Sequence, residues 1–351
     1  CGSCPSGQTC SSGFCVDNAP PPPPPGGGGP DPSGRGPTGQ WPAGFPAYST
    51  AADIVTNGTK SGLTAALNDT RCSGGCVIEH PGNVSGTLTR IGSAGEILVR
   101  PPIGQRAQYT FSGGVDIRAD NLLVAGFDND SNMVVSKGTN SGFAWMEIDG
   151  PGGGIAVYGN NGDTANGFFY EVVYRQYAAS GMGDRGGVRA TSNGHATMLV
   201  VGSILTGTTD PPPTYHADTL QIYYEGGSSG EITIRDSVLW PAYDKALQAG
   251  AATDFFLDNV FIMSPGEANN LWTGPGAPLG LGGYYSTTAS VDMNGCTIVG
   301  ALYPDFDHRV SNSALWKPGN YIDMGGNTTL SARPSPTRYP THAELDAIWS
   351  P

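Results

Sequence analysis

The chain has 351 residues, which is enough for one large domain with smaller accessory segments. Only 13% of the residues are charged and 54 are glycine, yet 38% are hydrophobic, a composition that argues against both a disordered chain and a largely helical one. The net charge of −13, with sparse Lys and Arg, argues against nucleic-acid binding, and no apolar run approaches the roughly 20 residues of a membrane-spanning helix.

Residues 1–18 are predicted to form a small cystine-rich module. Four of the seven cysteines lie within the first fifteen residues, in a segment too short for a hydrophobic core, so cross-links must hold it together. No histidine accompanies them, and we favour disulfides over a zinc site. This cysteine usage, continued by Cys72 and Cys76, predicts a secreted, extracellular protein; a lipid on Cys1 is the alternative that would attach it to a cell surface.

Residues 19–39 are predicted to be a linker. Six prolines and then four glycines, from Pro20 to Gly29, give a stiff spacer followed by a flexible one. The large domain is therefore predicted over residues 40–351.

The large domain opens with a short helix and continues with strands. Ser61–Leu67 has apolar residues at helical spacing, and the Cys72/Cys76 pair follows in a turn. Strands are then predicted at Val77–Glu79 and Glu96–Arg100, and Val115–Phe127 is predicted to hold two strands joined by a polar corner.

A degenerate repeat occupies the second half of the domain. Four stretches align with one another: Met198–Leu205, Ile232–Leu239, Asp254–Phe261 and Val291–Ile298. Each places one small residue between two apolar strands: Ser203, Ser237, Asn259 and Cys296. A coil that stacks on itself must bend at such a position, so we expect these side chains to line up, with Cys296 as a buried structural thiol.

These residues resemble the right-handed parallel β-helix superfamily that includes pectate lyases, and the resemblance covers roughly residues 50 to 325. It implies an all-β fold, a solenoid with short capping helices, and a monomer that acts on a polysaccharide. The apolar face of a helix near 341–349, which starts with a capping box at Thr341, is expected to cover one end of the solenoid.

The candidate site centres on a strand at Thr219–Tyr224. Side chains alternate between the faces of a strand, so Leu220 and Ile222 are predicted to be buried and Gln221 and Tyr223 to face solvent, together with Thr219. In the register that we predict from the apolar pattern, Arg189, Gln221 and Gln248 stack as an outward ladder on three successive coils.

Further polar and aromatic residues are predicted to surround this ladder. The corners of the same coils carry acids and bases at Asp184, Arg185, His216, Asp218, Asp244 and Lys245. Aromatic residues that could stack on sugar rings are Tyr215, Tyr223, Trp240 and Tyr243. Taken singly, each of these residues is more often structural than functional; it is their convergence on one face that predicts a polysaccharide-binding groove.

The resemblance implies cleavage of a uronic-acid polysaccharide by β-elimination. Lys245, Arg189 or His216 would act as the base. Calcium is the expected cofactor, held by Asp184, Asp218 and Asp244. Arg185, Gln221 and Gln248 would bind substrate.

Two alternatives remain open from the sequence. A glycoside hydrolase on the same fold would need paired carboxylates, and the chain has no adjacent Asp-Asp pair. A non-catalytic carbohydrate-binding or adhesin-like β-helix is equally compatible with the cystine module and linker.

Overall fold

The computed structural model describes most of the large domain and a hairpin of the N-terminal segment. The described residues are 8–11, 14–17, 40–90, 92, 95–105, 108–128, 133–150, 154–176, 186–206, 219–224, 228–240, 247–249, 254–263, 290–300, 302, 307–316, 318–319 and 321–332. Strands Gln8–Ser11 and Phe14–Asp17 pair in an antiparallel hairpin, with Cys10 opposite Cys15. The predicted linker at 19–39 and the predicted helix near 341–349 lie outside the described residues.

The large domain opens with the predicted short helix, at Lys60–Leu67. Thr59 caps it, because its side-chain oxygen accepts the Gly62 backbone N–H at 3.1 Å. A 3-10 helix at Thr70–Gly74 follows, and a disulfide joins Cys72 to Cys76. The remaining regular structure of the described large domain is all β, as predicted.

Three long parallel sheets make up the domain. The first contains Ile54–Val55, Cys76–Glu79, Ile97–Arg100, Leu122–Ala125, Thr139–Gly150, Thr164–Gln176, His195–Val201, Ser229–Arg235, Asp254–Asp258, Ser290–Asn294, Asp307–Ser311 and Ile322–Asp323. The second begins in the C-terminal halves of Thr139–Gly150 and Thr164–Gln176 and continues with Ile204–Thr206, Val238–Trp240, Phe261–Met263, Thr297–Val299, Ala314–Trp316 and Thr328–Thr329. The third contains Val84–Leu88, Phe111–Ile117, Met133–Ser136, Gly154–Asn160, Gly187–Thr191, Leu220–Tyr224 and Leu247–Ala249.

The chain visits these sheets in turn, which is consistent with a β-helix solenoid. Strand Met133–Ser136 belongs to the third sheet, the next strand Thr139–Gly150 runs through the first and second, and Gly154–Asn160 returns to the third. Between Thr139 and Ala249 each circuit therefore adds one parallel strand, or rung, to each of the three sheets, at a spacing of about 4.8 Å.

Aliphatic and aromatic side chains stack along the interior from rung to rung. In the first sheet the register aligns ten inward residues: Ile78, Val99, Val124, Phe143, Phe169, Val200, Ile234, Leu257, Met293 and Val310. None of them is more than 2% exposed. Burial of each such side chain contributes roughly 1.5–3 kcal/mol, so this continuous interior is the main source of stability.

The corner between the first and second sheets is only partly as predicted. Ser203, Ser237 and Cys296 do lie at equivalent positions, but hydrogen bonds of the following strands place Val260, not Asn259, in line with them. The predicted alignment is wrong by one residue there, because Phe255 rather than Asp254 is the register partner of Ile232. Side-chain size alone did not distinguish two adjacent corner positions.

Asn259 belongs instead to a neighbouring line of residues that bends the chain. Asp236, Asn259 and Asn312 have φ of 46°, 53° and 50°, the left-handed region that Asn and Asp tolerate better than most residues. The Asn259 side-chain N–H donates to Asp236 Oδ1 at 2.7 Å. The Asn312 side chain likewise donates to Asn294 Oδ1 at 2.9 Å. These amides link the corners of successive coils.

Residues 40–53 cover the N-terminal half of the first sheet from outside. Phe45 is 7% exposed and packs its ring on Phe168, with the ring centroids 5.4 Å apart. The buried Arg100 guanidinium donates to Glu79 at 2.7 Å and to the Thr50 carbonyl at 3.0 Å, which ties this segment to the sheet. The outer face of the first sheet is therefore closed in this half.

Candidate functional site

The strand at the centre of the predicted site is present, at Leu220–Tyr224. Leu220 and Ile222 are fully buried, and Gln221 and Tyr223 are partly exposed on the outer face of the third sheet, as predicted. Thr219, predicted to face solvent, is fully buried instead. It immediately precedes the strand, so the alternation of the strand does not extend to it.

The register of the neighbouring strands differs from the prediction at Arg189. Gln221 is paired with Gln248, as expected, but the partner of Arg189 is Tyr223, and Gln221 lies opposite Gly187. The predicted stacking of Arg189 on Gln221 is therefore wrong by two residues. A shift of two residues keeps the same side chains facing inward, so the apolar pattern could not detect it.

The outer face of the third sheet carries an alternating line of cations and tyrosines from four consecutive rungs. We call Lys137, Tyr158, Arg189 and Tyr223 the cation–tyrosine ladder. The Lys137 ammonium nitrogen lies 5.6 Å from the centroid of the Tyr158 ring. The Arg189 guanidinium carbon lies 5.9 Å from the Tyr158 centroid and 5.6 Å from the Tyr223 centroid. Each distance is within the range of a cation–π interaction, so the charged groups are held along the sheet by the rings between them.

A carboxylate balances the charge at one end of the ladder. Asp116 Oδ2 accepts from Lys137 Nζ at 2.8 Å and from Arg118 Nε at 3.1 Å. Lys137 is 25% exposed in its side chain, and Arg118 is 56% exposed. These three groups together leave one net positive charge, whereas Arg189 at the other end is exposed and has tyrosines as its rung neighbours.

Small residues lie beside the ladder on the same face of the sheet. Ala156 and Gly187 are consecutive outward residues of the neighbouring row, and both are buried because they are small and their neighbours are not. Gly187 has φ of +127°, and a Cβ there would collide with the Gln221 carbonyl oxygen, so the position requires glycine. A shallow depression results, lined by Met133, Ala156, Tyr158, Gly187, Arg189 and Gln221.

Two members of the ladder were missed in the sequence. Lys137 directly follows the buried Ser136, and Tyr158 follows the buried Val157, in strands whose outward positions could have been read by the same alternation. The signal was therefore present, but only the register across rungs shows that these two residues line up with Arg189.

Most of the predicted corner residues lie outside the described residues. They are Asp184, Arg185, Tyr215, His216, Asp218, Tyr243, Asp244 and Lys245. Trp240 lies in a strand of the second sheet, paired with Thr206, so it belongs to a different sheet from the ladder. No group of three or more His, Cys, Asp or Glu side chains that could hold a metal ion occurs within the described part of the chain.

Two carboxylates from neighbouring strands meet on the outer face of the first sheet. Glu231 and Asp254 are register partners, a pairing that was not visible in the sequence because 22 intervening residues separate them. Thr233 donates to Glu231 at 3.3 Å and Ser290 donates to Asp254 at 2.8 Å. Glycoside hydrolysis needs a pair of carboxyl groups, and these two residues are one such pair among the described residues.

Cys296 is a buried structural residue and not a candidate nucleophile. The side chain is 1% exposed, as predicted, and burial raises the pKa of its thiol to about 12, so the thiolate is absent at neutral pH. The thiol lies 3.4 Å from the Asn294 carbonyl oxygen and fills the corner.

Comparison of the chain with protein-family models, with curated proteins and with solved structures finds no match. The helices that the structure describes include none with the length and apolar character needed to cross a membrane.

Proposed function

We propose that this protein is a secreted, monomeric parallel β-helix of the pectate-lyase-like kind, which binds a uronic-acid polysaccharide on the outer face of the third sheet and cleaves it by β-elimination. The observation that carries the proposal is the cation–tyrosine ladder, with Arg189 positioned between the rings of Tyr158 and Tyr223.

The ladder offers what a chain of acidic sugars requires. The planar Arg189 guanidinium can donate two parallel hydrogen bonds to one carboxylate. The tyrosine hydroxyls and the Gln221 amide suit sugar hydroxyls and glycosidic oxygens. Because the rings already hold Arg189 in place, part of the ordering cost of binding is met before the ligand arrives.

β-Elimination proceeds in this proposal around a carboxylate held by Arg189. A base removes the proton from the carbon next to the carboxylate, the electron pair forms a carbon–carbon double bond, and the glycosidic oxygen leaves with the electrons of its broken bond. Lys245 or His216 is the base that we propose, and the geometry of Arg189 suits it better to holding the carboxylate than to accepting the proton.

Calcium is part of the proposal on sequence grounds. Gly187 and Gln221 are register partners on adjacent rungs, and Asp184 and Asp218 precede them by three residues each. We therefore propose Asp184 and Asp218 as calcium ligands, with Asp244 as the third member of the predicted set. Carboxylate oxygens are the ligands that Ca²⁺ prefers, and the ion would neutralise the substrate carboxylate together with Arg189.

A glycoside hydrolase is the second candidate, supported by the pair Glu231 and Asp254. Two carboxyl groups on adjacent rungs are close enough in principle for general acid and nucleophile roles. The depression lined by Ala156, Gly187 and Arg189 lies on the third sheet, which is why we favour that sheet as the site.

Incubation with a panel of uronic-acid polymers, with and without Ca²⁺, tests the proposal. Ultraviolet absorbance from unsaturated ends is the expected result, and Arg189→Gln should reduce it at least tenfold while Arg71→Gln, which removes the same charge from a 62% exposed side chain, leaves it unchanged. New reducing ends without absorbance would assign the hydrolase, and binding without either product would assign a non-catalytic module. Absence of binding to every polymer would overturn the proposal.

A further inference from the structure

The charges of the cation–tyrosine ladder alternate from rung to rung. Lys137 and Arg189 carry a positive charge, and Tyr158 between them and Tyr223 beyond them are uncharged phenols. Since rungs are about 4.8 Å apart, the two cations stand about 10 Å apart along the sheet.

Arg118 would interrupt this alternation of charge, but an ion pair offsets one of the two adjacent positive charges. Arg118 stands on the rung before Lys137, but both share the carboxylate of Asp116, at 3.1 and 2.8 Å. Lys137, Arg118 and Asp116 together therefore present one net positive charge at this end of the ladder, shared by the two cations. Along the sheet, a ligand meets positive charge, phenol, positive charge, phenol.

We infer that the polysaccharide bound here is an alternating polymer, in which an acidic sugar is followed by an uncharged one. This inference rests on the proposed function and specifies its substrate class. A pyranose unit of an extended polymer is about as long as the spacing between rungs, so successive sugars lie over successive rungs. A carboxylate on every second sugar then meets Lys137 and Arg189, and the uncharged sugar between them meets Tyr158.

The mode of contact at Tyr158 follows from its neighbours. Cations lie near this ring from the rung before and the rung after, at 5.6 and 5.9 Å from its centroid. The ring faces are therefore engaged within the ladder, and the hydroxyl is the group left to meet a sugar. A hydroxyl or acetamido group on the uncharged sugar can pair with it, whereas a carboxylate there would find no cation on its own rung.

The net charge of the whole chain also favours an alternating polymer. At a net charge of −13, the protein repels a polymer with a carboxylate on every sugar more strongly than one with a carboxylate on every second sugar. Salt screens this general repulsion but leaves the register of the ladder unchanged, so the two effects can be separated.

Calorimetric titration of the intact protein with two probes of equal length tests the inference: a hyaluronan hexasaccharide, which alternates uronate and N-acetylhexosamine, and a hexagalacturonate. We expect hyaluronan to bind at least about tenfold more tightly, at both 0.05 and 0.5 M salt, since the hexagalacturonate places over Tyr158 a carboxylate that gives up hydration without gaining a cation. Equal or tighter binding of the hexagalacturonate would overturn the inference and leave the proposed function standing. Failure of both probes to bind would count against the proposed function itself.

Tyr158→Lys provides the second arm. It places a cation on every rung from Lys137 to Arg189, so the preference should move towards the hexagalacturonate by at least about tenfold. Ser112→Lys is the matched control, because Ser112 is exposed in a strand of the same sheet but lies outside the ladder and four residues from Asp116. A shift no larger in Tyr158→Lys than in Ser112→Lys would overturn the inference, provided that both variants keep the wild-type circular dichroism spectrum.

Discussion

At the scale of single residues, different side chains of the third sheet serve binding and stability. Gln221 is partly exposed beside Arg189, while its strand neighbours Leu220 and Ile222 are fully buried. The fold rests on the inward residues, so the outward ones are available for recognition. Polar residues that are buried, by contrast, affect the free energy of unfolding.

Replacing Gln221 with alanine should weaken polysaccharide binding about fivefold, because one amide hydrogen bond to the ligand is lost. The melting temperature should change by less than about 2 °C, since the side chain is not part of the core. Titration and thermal unfolding of the same preparation measure both quantities. A large drop in stability with unchanged affinity per folded molecule would return Gln221 to a structural role.

His80 makes stability depend on pH. The side chain is fully buried, with Nδ1 2.7 Å from Thr56 Oγ1, and burial lowers its pKa below the ordinary value of 6.5. As the pH falls through about 6.5, the unfolded chain takes up a proton that the folded chain still excludes. The free energy of unfolding therefore decreases from that pH downwards, until the pH reaches the lower pKa of the folded protein.

His80→Gln should flatten this dependence between pH 7 and pH 5, since glutamine has no proton to gain. Urea unfolding of the wild type and the variant at both pH values provides the comparison. If both proteins lose the same free energy of unfolding on acidification, the dependence arises from other groups.

At the scale of elements, the bend between the first and second sheets depends on residues that accept positive φ. Asn259 has φ of 53° and donates to Asp236 at 2.7 Å. Asn259→Ala loses the hydrogen bond and places a less tolerant residue in the left-handed region, so we expect a loss of about 1–2 kcal/mol. Asn259→Gly loses only the hydrogen bond and should cost less than about 1 kcal/mol.

Chemical denaturation of the two variants distinguishes these contributions. Equal losses would mean that the side-chain link between coils, rather than the backbone conformation, carries the effect. The contrast is informative because both variants remove the same exposed amide.

The covering segment at residues 40–53 is a second element whose packing can be tested. Phe45→Ala should destabilise the domain by about 3 kcal/mol, because a ring 7% exposed is lost from the contact with Phe168. Calorimetric unfolding measures the change. A loss below about 1 kcal/mol would show that the segment contributes little to the folded domain.

At the scale of the whole molecule, the class of fold was predictable because each coil has its own short apolar strands. The same local pattern therefore recurs along the sequence. Ile78 and Val200 lie far apart in sequence, yet each belongs to a short apolar strand of its own coil, and both are fully buried. The covering of the first sheet by Trp41 and Phe45 was not predictable, because these residues lie beyond the repeat and nothing local indicates which surface they contact.

The site was predictable only in part, for a related reason. Alternation gave the outward positions Gln221 and Tyr223 correctly, but the register between coils decides which outward residues meet. Loops of different length connect the coils, so a shift by two residues leaves every buried position unchanged while moving Arg189 from Gln221 to Tyr223. The inclusion of Lys137 and Tyr158 depends on that same register.

The most direct measurement is a crystal structure of the protein soaked with a hexasaccharide of a uronic-acid polymer that it binds. The account predicts sugar density along the outer face of the third sheet, with a carboxylate on the Arg189 guanidinium and a neighbouring unit within hydrogen-bond distance of Tyr158. Density confined to the first sheet near Glu231 and Asp254, or to the N-terminal module, would contradict it.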